Sequence, residues 1–321
     1  MANILLTGAG FSRNWGGWLA NEAFEYLLGV DGLHLRVRRM LWDHKERKTG
    51  FEGVYTALKG AATNPTEIEV FRSFDAAVAG MFYVMRGGFE KATIDLPMLR
   101  FIASFASIFT LNQDTFLELK YLSLSGEDIR SASNGVFFGV ETPGLRSASD
   151  REFMPPGFYT PSDGPVIVRD RFQPYFKLHG SSNWAAPENG KLMLIIGGGK
   201  DVEIRKSALL AWYFEEFEKR IRGNQVVIVG YSFNDEHINK ILAAAARTGT
   251  RYFIVDPQGA DVIDKRDSHA AITQPRTAFM DTMIESIDGA SRRDLRNTLA
   301  SDHIERTKLD HFMTAGDRQK P

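Results

Sequence analysis

Ile4-Leu5-Leu6-Thr7-Gly8-Ala9-Gly10-Phe11-Ser12-Arg13 runs an apolar triplet straight into a glycine-rich turn. Apolar residues without polar alternation read as a strand covered on both faces, and such strands belong to parallel sheets. Gly8 and Gly10 let backbone N–H groups approach an anion, and the helix start behind them adds a favourable dipole. Phosphate is the natural guest of such a turn. Two later segments repeat the design: residues 108–109 lead into Thr110-Leu111-Asn112-Gln113-Asp114, and residues 175–178 lead into His179-Gly180-Ser181. Polar residues at the carboxyl ends of parallel strands line the ligand crevice of an open α/β sheet. The three segments are thus placed to converge on one dinucleotide.

Further strands are predicted at residues 192–196, followed by Gly197-Gly198-Gly199, at 226–229 and at 252–255, the last ended by Asp256-Pro257. Between them, a helix over about 206–222 puts Leu210, Tyr213, Phe214, Phe217 and Ile221 on one face. A second helix follows Gly230-Tyr231-Ser232-Phe233-Asn234-Asp235, with Ile238, Ile241, Leu242, Ala245 and Ala246 on its face and Ser232 or Asn234 as its cap. Strands alternating with helices predict an α/β, Rossmann-like, largely parallel sheet with right-handed crossovers. Residues 15–105 are mainly helical in pattern, with Trp18, Ala23, Phe24, Leu27 and Leu28 on one face and Phe71, Phe74, Val78, Phe82 and Met85 on another. They form a helical insertion or cap after the phosphate turn. Residues 121–170 are rich in Gly, Ser and Pro, including Pro155-Pro156-Gly157 and Pro161-Ser162-Asp163-Gly164, and read as loops and short hairpins that cover the ligand. Beyond residue 257 the pattern is two amphipathic helices and a polar tail from about residue 316.

The chain has 321 residues, 43% hydrophobic and 25% charged, the composition of a soluble globular protein. Its 39 Lys and Arg nearly balance 40 Asp and Glu, so nothing in the net charge of -1 argues for a nucleic-acid or anionic-membrane surface. The basic run at Arg36, Arg38 and Arg39 reads as a solvated helix face. Cysteine is absent, which excludes disulfides, thiolate zinc sites and a cysteine nucleophile, and is compatible with a reducing cytoplasm. No pair among the seven histidines has the i, i+3 or i, i+4 spacing of a helical metal site, and no metal is expected. No apolar stretch approaches the ~18 residues of a membrane span, and no basic region precedes the N-terminal apolar run. The expected location is the cytoplasm.

Each site residue also has a structural reading. A Gly-x-Gly after a strand is a common turn, and Arg13 stands where the dinucleotide fingerprint has its third glycine. Asn112 and Asp114 are placed to cap a helix starting near Thr115. Asp256 suits a turn and Asp235 a helix cap, and a lone histidine such as His179 is often structural.

In this order, the segments resemble the sirtuin family. Its Gly-Ala-Gly-x-Ser loop matches Gly8 to Ser12, and its Thr-Gln-Asn-x-Asp motif matches Thr110 to Asp114 with Leu111 in place of glutamine. Its catalytic His-Gly matches His179-Gly180, and its later Gly-x-Ser matches Gly230-Tyr231-Ser232. The stretch from Gly230 to Ile238 is similar to the divergent bacterial branch found in anti-phage defence systems, whose members hydrolyse NAD. Deacylating sirtuins carry a four-cysteine zinc module that this chain cannot build, so no structural zinc is expected and the usual acetyl-lysine groove is in question. Asn14-Trp15-Gly16-Gly17-Trp18 also differs from the family's Pro-Asp-Phe-Arg stretch.

The resemblance implies a sirtuin-like NAD-binding catalytic domain over residues 1–257, carrying the insertion at 15–105, with a C-terminal helical extension at 258–321 packed on it. It implies an NAD glycohydrolase that takes NAD as substrate and releases nicotinamide and ADP-ribose. Asn112 would hold the ribose hydroxyls or the attacking water, and His179 would be the base, a role that suits an ordinary histidine pKa of ~6.5. The backbone of Gly8, Ala9, Gly10, Phe11 and Ser12 would hold the pyrophosphate, Asp114 would orient that constellation, Gln113, Gly230 and Tyr231 would join the cofactor site, and Ser232 and Asp256 would face the adenosine end. The rival readings are a zinc-free deacylase or ADP-ribosyl transferase, and a non-catalytic module that binds NAD or ADP-ribose. An unrestrained NAD hydrolase would drain its own cell, so control is expected from self-assembly into a homo-oligomer and from a HerA-like hexameric ATPase partner.

Overall fold

The computed structural model describes residues 1–47, 49–148, 157–188, 190–265 and 275–315. Pro155-Pro156 and the tail from residue 316 lie outside the described residues. In chain order the strands are β1 (Asn3–Thr7), β2 (Ser107–Thr110), β3 (Gly139–Glu141), β4 (Leu145–Ser147), β5 (Tyr159–Pro161), β6 (Phe172–Lys177), β7 (Gly180–Ala185), β8 (Leu192–Leu194), β9 (Gln225–Val229), β10 (Arg251–Val255) and β11 (Ile287–Ser291). Seven of them form one sheet in the order β11-β10-β9-β1-β2-β6-β3, every pair parallel, as the unalternating apolar runs predict.

The register aligns the carboxyl ends of six strands: Lys177 pairs Thr110, Thr110 pairs Thr7, Thr7 pairs Val229, Val229 pairs Val255, and Val255 pairs Ser291. Every motif read from the sequence therefore leaves the sheet at one edge. After β1 the chain builds outward through β2 to β6, then returns to add β9 on the other side of β1, so the switch point of the topology lies at the Gly8 turn.

Alternation along the strands divides the core. Leu5, Ile108, Tyr175, Val227 and Phe253 face the helical insertion, where the long helix Pro65–Lys91 buries Phe74, Val78, Met81, Met85 and Phe89 along one stripe. Asn64 starts that helix by accepting from the Glu67 N–H at 3.0 Å, with Pro65 in the first turn. On the opposite face Ile4, Leu6, Phe109, Phe176 and Ile228 meet the helices Ala208–Ile221 and Glu236–Ala246 through Tyr213, Phe217, Ile238 and Leu242. Among the described residues no helix is long and apolar enough to cross a membrane.

Three local expectations are corrected. The strand at residues 192–196 is not part of the parallel sheet: β8 closes a second, four-stranded sheet ordered β4-β5-β7-β8. Leu192, Met193 and Leu194 are only half-buried, so that run is an edge rather than a core strand. The helix predicted over 206–222 is two helices, Lys200–Lys206 and Ala208–Ile221, because the Ser207 hydroxyl accepts from the Leu210 N–H at 3.3 Å and starts the second one afresh. The C-terminal segment is helical as expected, yet it also supplies β11, whose mixed pattern Ile287-Asp288-Gly289-Ala290-Ser291 suits a sheet edge.

Candidate active site

A cavity of about 2400 Å³ opens at the aligned strand ends. That exceeds the ~300–1,000 Å³ typical of small-ligand pockets and accommodates a dinucleotide. Gly8, Ala9, Gly10, Asn112, Gln113, Asp114, His179, Gly230, Tyr231, Ser232 and Asp256 all line it, so residues spread over most of the chain meet in one place.

The glycines bring two backbone turns together. Gly230 has φ +62°, and a Cβ there would lie 2.4 Å from the Gly10 carbonyl carbon. A Cβ on Gly8 would lie 2.5 Å from the Gly230 oxygen. Only paired glycines permit this contact. It changes the expected role of the turn, because the Gly8 N–H donates to the Val229 carbonyl at 2.9 Å and the Gly10 N–H to the Gly230 carbonyl at 3.0 Å. Those two donors hold the fold and are not offered to a phosphate.

The other two residues of this turn point to different sides. Phe11 is buried against Trp15, with ring centroids 5.4 Å apart, and against Phe116, at 6.1 Å, so its ring belongs to the core and not to a cofactor contact. Ser12 is also buried, but its hydroxyl donates to Asp114 Oδ2 at 2.7 Å and accepts from Asn112 Nδ2 at 3.2 Å. The serine thus orients the two polar residues of the second motif and does not line the cavity itself.

Asp114 takes the helix-starting place read for it, its Oδ1 accepting from the Phe116 N–H at 2.9 Å, while its Oδ2 takes the Ser12 hydroxyl. Gln113 Nε2 donates to the Ile195 carbonyl at 2.6 Å and ties the motif to the segment after β8. Beneath the loop, fully buried Lys177 donates to the Asp114 carbonyl and to Glu118 Oε1, the latter at 2.6 Å. Tyr175 donates its hydroxyl to the same carboxylate at 3.2 Å, and the Ser181 hydroxyl, which donates to Asn183 Oδ1 at 2.7 Å, lies 3.3 Å from it. A buried ion pair therefore anchors the backbone that carries Asn112.

His179 stands two residues past β6, as Asn112 stands two past the neighbouring β2. Gly180, at φ +72°, turns the chain immediately into β7, where a Cβ would meet the Met193 oxygen at 1.9 Å. The imidazole is buried, with Nε2 2.9 Å from Nε2 of His237, and it has a backbone hydrogen bond to Leu111. Burial first, and then the nearby Lys200 ammonium, push its pKa down to about 3, so the near-neutral value expected of it does not hold. The Asp235 carboxylate opposes that shift.

His237, Asp235 and Lys200 are the residues that sequence reasoning missed as a group. Asp235 was expected to be a helix cap. It precedes the helix Glu236–Ala246 but makes no side-chain cap bond; instead its Oδ1 accepts from Lys200 Nζ at 2.8 Å, while Lys200 also reaches Glu52 at 2.9 Å. Neither Ser232 nor Asn234 caps that helix. Burial lowers the His237 pKa as well, and the Phe214 ring lies 5.6 Å from its own. The one available signal was the position of His237 in the first turn of a helix that follows a strand end.

The remaining positions are at the far side. Tyr231 is buried, its hydroxyl donating to Asn239 Oδ1 at 3.0 Å and accepting from the Asp235 N–H at 3.2 Å, so it braces the loop. The Ser232 carbonyl accepts from Lys265. Asp256 Oδ1 accepts from the Gln258 N–H at 2.9 Å, and burial raises its carboxyl above the ordinary range.

The family model of the SIR2-like domain matches residues 106–275. No curated protein matches the chain. Among solved structures, a Sir2 homologue in complex with NAD is 12% identical with a TM-score of 0.45, over 97% of this chain and 90% of that one. A mutant Sir2 homologue with ADP-ribose is 12% identical with a TM-score of 0.43, over 99% and 94%. Sir2Tm bound to a propionylated peptide is 11% identical with a TM-score of 0.36, over 98% and 93%.

Proposed function

This chain belongs to the SIR2-like domain family, and from that premise we propose that it is an NAD glycohydrolase that releases nicotinamide and ADP-ribose. The observation that carries the proposal is the convergence of Asn112 and His179, at the ends of adjacent parallel strands, on a cavity of dinucleotide size bordered by the Gly8 and Gly230 turns.

Water attacks the anomeric carbon of the nicotinamide ribose as the glycosidic bond breaks, and the bonding pair leaves on the pyridine nitrogen. Nicotinamide departs neutral and needs little acid assistance. The protein's work is to position the water and to support the positive charge that grows on the sugar. Asn112, held by Ser12, presents an amide to the ribose or the water. His179 is neutral in the resting cavity and takes the water's proton on Nε2, the nitrogen that faces His237 before substrate arrives. The Asp235 carboxylate offsets the charge that the imidazole then carries. Because the chain has no cysteine, the zinc module of deacylating sirtuins is absent, which favours water over an acyl-lysine as the acceptor.

We place this activity in an NAD-depleting effector of anti-phage defence, restrained by assembly into a homo-oligomer and by a HerA-like hexameric ATPase. The test is direct: purified protein is incubated with NAD, with and without an acylated peptide, and nicotinamide and ADP-ribose are quantified. Hydrolysis without peptide, lost by ~10²–10⁴-fold in folded His179→Ala and Asn112→Ala, is expected. Release only with peptide would identify a deacylase, and NAD binding without turnover a regulatory module.

A further inference from the structure

We propose that His179, His237 and Asp235 form a reversible site for a divalent transition-metal ion such as zinc, and that the bound ion switches off the proposed hydrolase by taking the lone pair of its base. The second half rests on the hydrolase reading; the first does not.

One ligand atom from each of the three side chains lies within 4.8 Å of the other two, and the imidazole nitrogens are 2.9 Å apart. Zinc binds imidazole nitrogen at about 2.0–2.1 Å and carboxylate oxygen at about 2.0–2.2 Å, so two nitrogens on a tetrahedral ion sit roughly 3.3 Å apart. The pair must open by only about 0.4 Å, within reach of small side-chain rotations. His179 faces the site with Nε2 and has a backbone hydrogen bond to Leu111, the kind of support from a backbone group that metal-ligating histidines use.

Charge favours a cation. The ion pairs that meet here set Lys200 against Asp235 and Glu52, one positive group and two negative. An incoming ion takes Asp235 from Lys200, and the ammonium keeps Glu52 at 2.9 Å. Three protein ligands leave a fourth position open to the cavity, the pattern of an exchangeable rather than a structural site. Two imidazoles and one carboxylate select zinc, cobalt or nickel over magnesium and calcium. An ion held on His179 Nε2 occupies the nitrogen that hydrolysis needs, so metal and turnover exclude each other.

The test uses the full-length protein stripped with a chelator. Zinc chloride is titrated in a calorimeter, and cobalt(II) is added separately to read the ligand set by absorption. The expected result is one saturable zinc per chain, weakened at least tenfold in His237→Ala and in Asp235→Asn, unchanged in His303→Ala, and no binding of magnesium at the same concentrations. Far-UV circular dichroism confirms that each variant is folded. Absence of saturable binding, or wild-type affinity in both cluster variants, overturns the site. Nicotinamide release is then followed against zinc and is expected to fall in proportion to occupancy and return with EDTA. Full turnover at saturating zinc overturns the switch. Zinc binding at the cluster in a protein that never releases nicotinamide upholds the site and overturns the hydrolase reading.

Discussion

Replacing Lys177 with methionine removes the cation that anchors the Asn112 loop while nearly preserving side-chain volume. Lys177 is fully buried, and its partner Glu118 is only 8% exposed, so the substitution strands a carboxylate that keeps the Tyr175 hydroxyl at 3.2 Å and a weaker contact with Ser181 at 3.3 Å. Breaking one side of a buried ion pair costs about 3–5 kcal/mol, because the remaining charge is neither paired nor well hydrated. For a chain of this size each kcal/mol is worth roughly 2 °C, which gives a fall of roughly 6–10 °C in Tm. Lys177→Met combined with Glu118→Gln removes the stranded charge and keeps an acceptor for Tyr175. That double variant is expected to recover at least half of the lost stability, although the Asp114 carbonyl still lacks its donor. The assay is thermal and urea unfolding followed by circular dichroism on the wild type, both single variants and the pair, with nicotinamide release at a temperature where all are folded. A loss below ~1 kcal/mol in Lys177→Met, or no recovery in the double variant, would refute the claim that charge compensation holds this loop.

Gly230→Ala puts a Cβ 2.4 Å from the Gly10 carbonyl carbon at a φ of +62°; a loss of about 2 kcal/mol or more is expected in urea unfolding, and one under ~0.5 kcal/mol would show that the paired turns are not tightly packed. Burial raises the Asp256 carboxyl, so the folded protein binds that proton more readily than the unfolded chain does, which penalises folding at neutral pH and ceases to matter once pH falls below the unfolded carboxyl's pKa. Asp256→Asn, which keeps the Oδ1 acceptor for Gln258, should therefore raise Tm at pH 7 and leave it unchanged near pH 3; an equal rise at both would show that the effect is not electrostatic. Multi-angle light scattering at micromolar concentration should find a species well above the 36.0 kDa monomer, and a strictly monomeric protein would remove assembly from the proposed control. Chelators should leave nicotinamide release undiminished, since no step of the proposed hydrolysis uses a metal; loss on EDTA treatment, restored by zinc, would reverse that.

The parts of this protein legible in its sequence are those decided by contacts short along the chain. Residues 226–229 and 252–255 announce buried parallel strands because a strand covered on both faces has no room for polar alternation, and both are interior strands of the sheet, paired on each side. The positions of Asn112, His179 and Gly230 followed from the same logic, since a polar residue or glycine just past such a strand must emerge at its carboxyl end. Neighbouring residues on one turn were harder: Phe11 and Ser12 look alike as loop members, but successive helical positions point in different directions, one into the aromatic core and the other toward Asp114. Only the tertiary structure decided that the Gly8 and Gly10 N–H groups are spent on strand β9 and its turn, because that depends on which backbone lies alongside. Only it could bring His237, 58 residues along the chain, to within 2.9 Å of His179 and set Lys200 between Glu52 and Asp235. Local spacing carries no trace of such meetings. The sheet aligns its strand ends through long-range register, and the pKa of about 3 at His179 exists only once that alignment has excluded water around the ring.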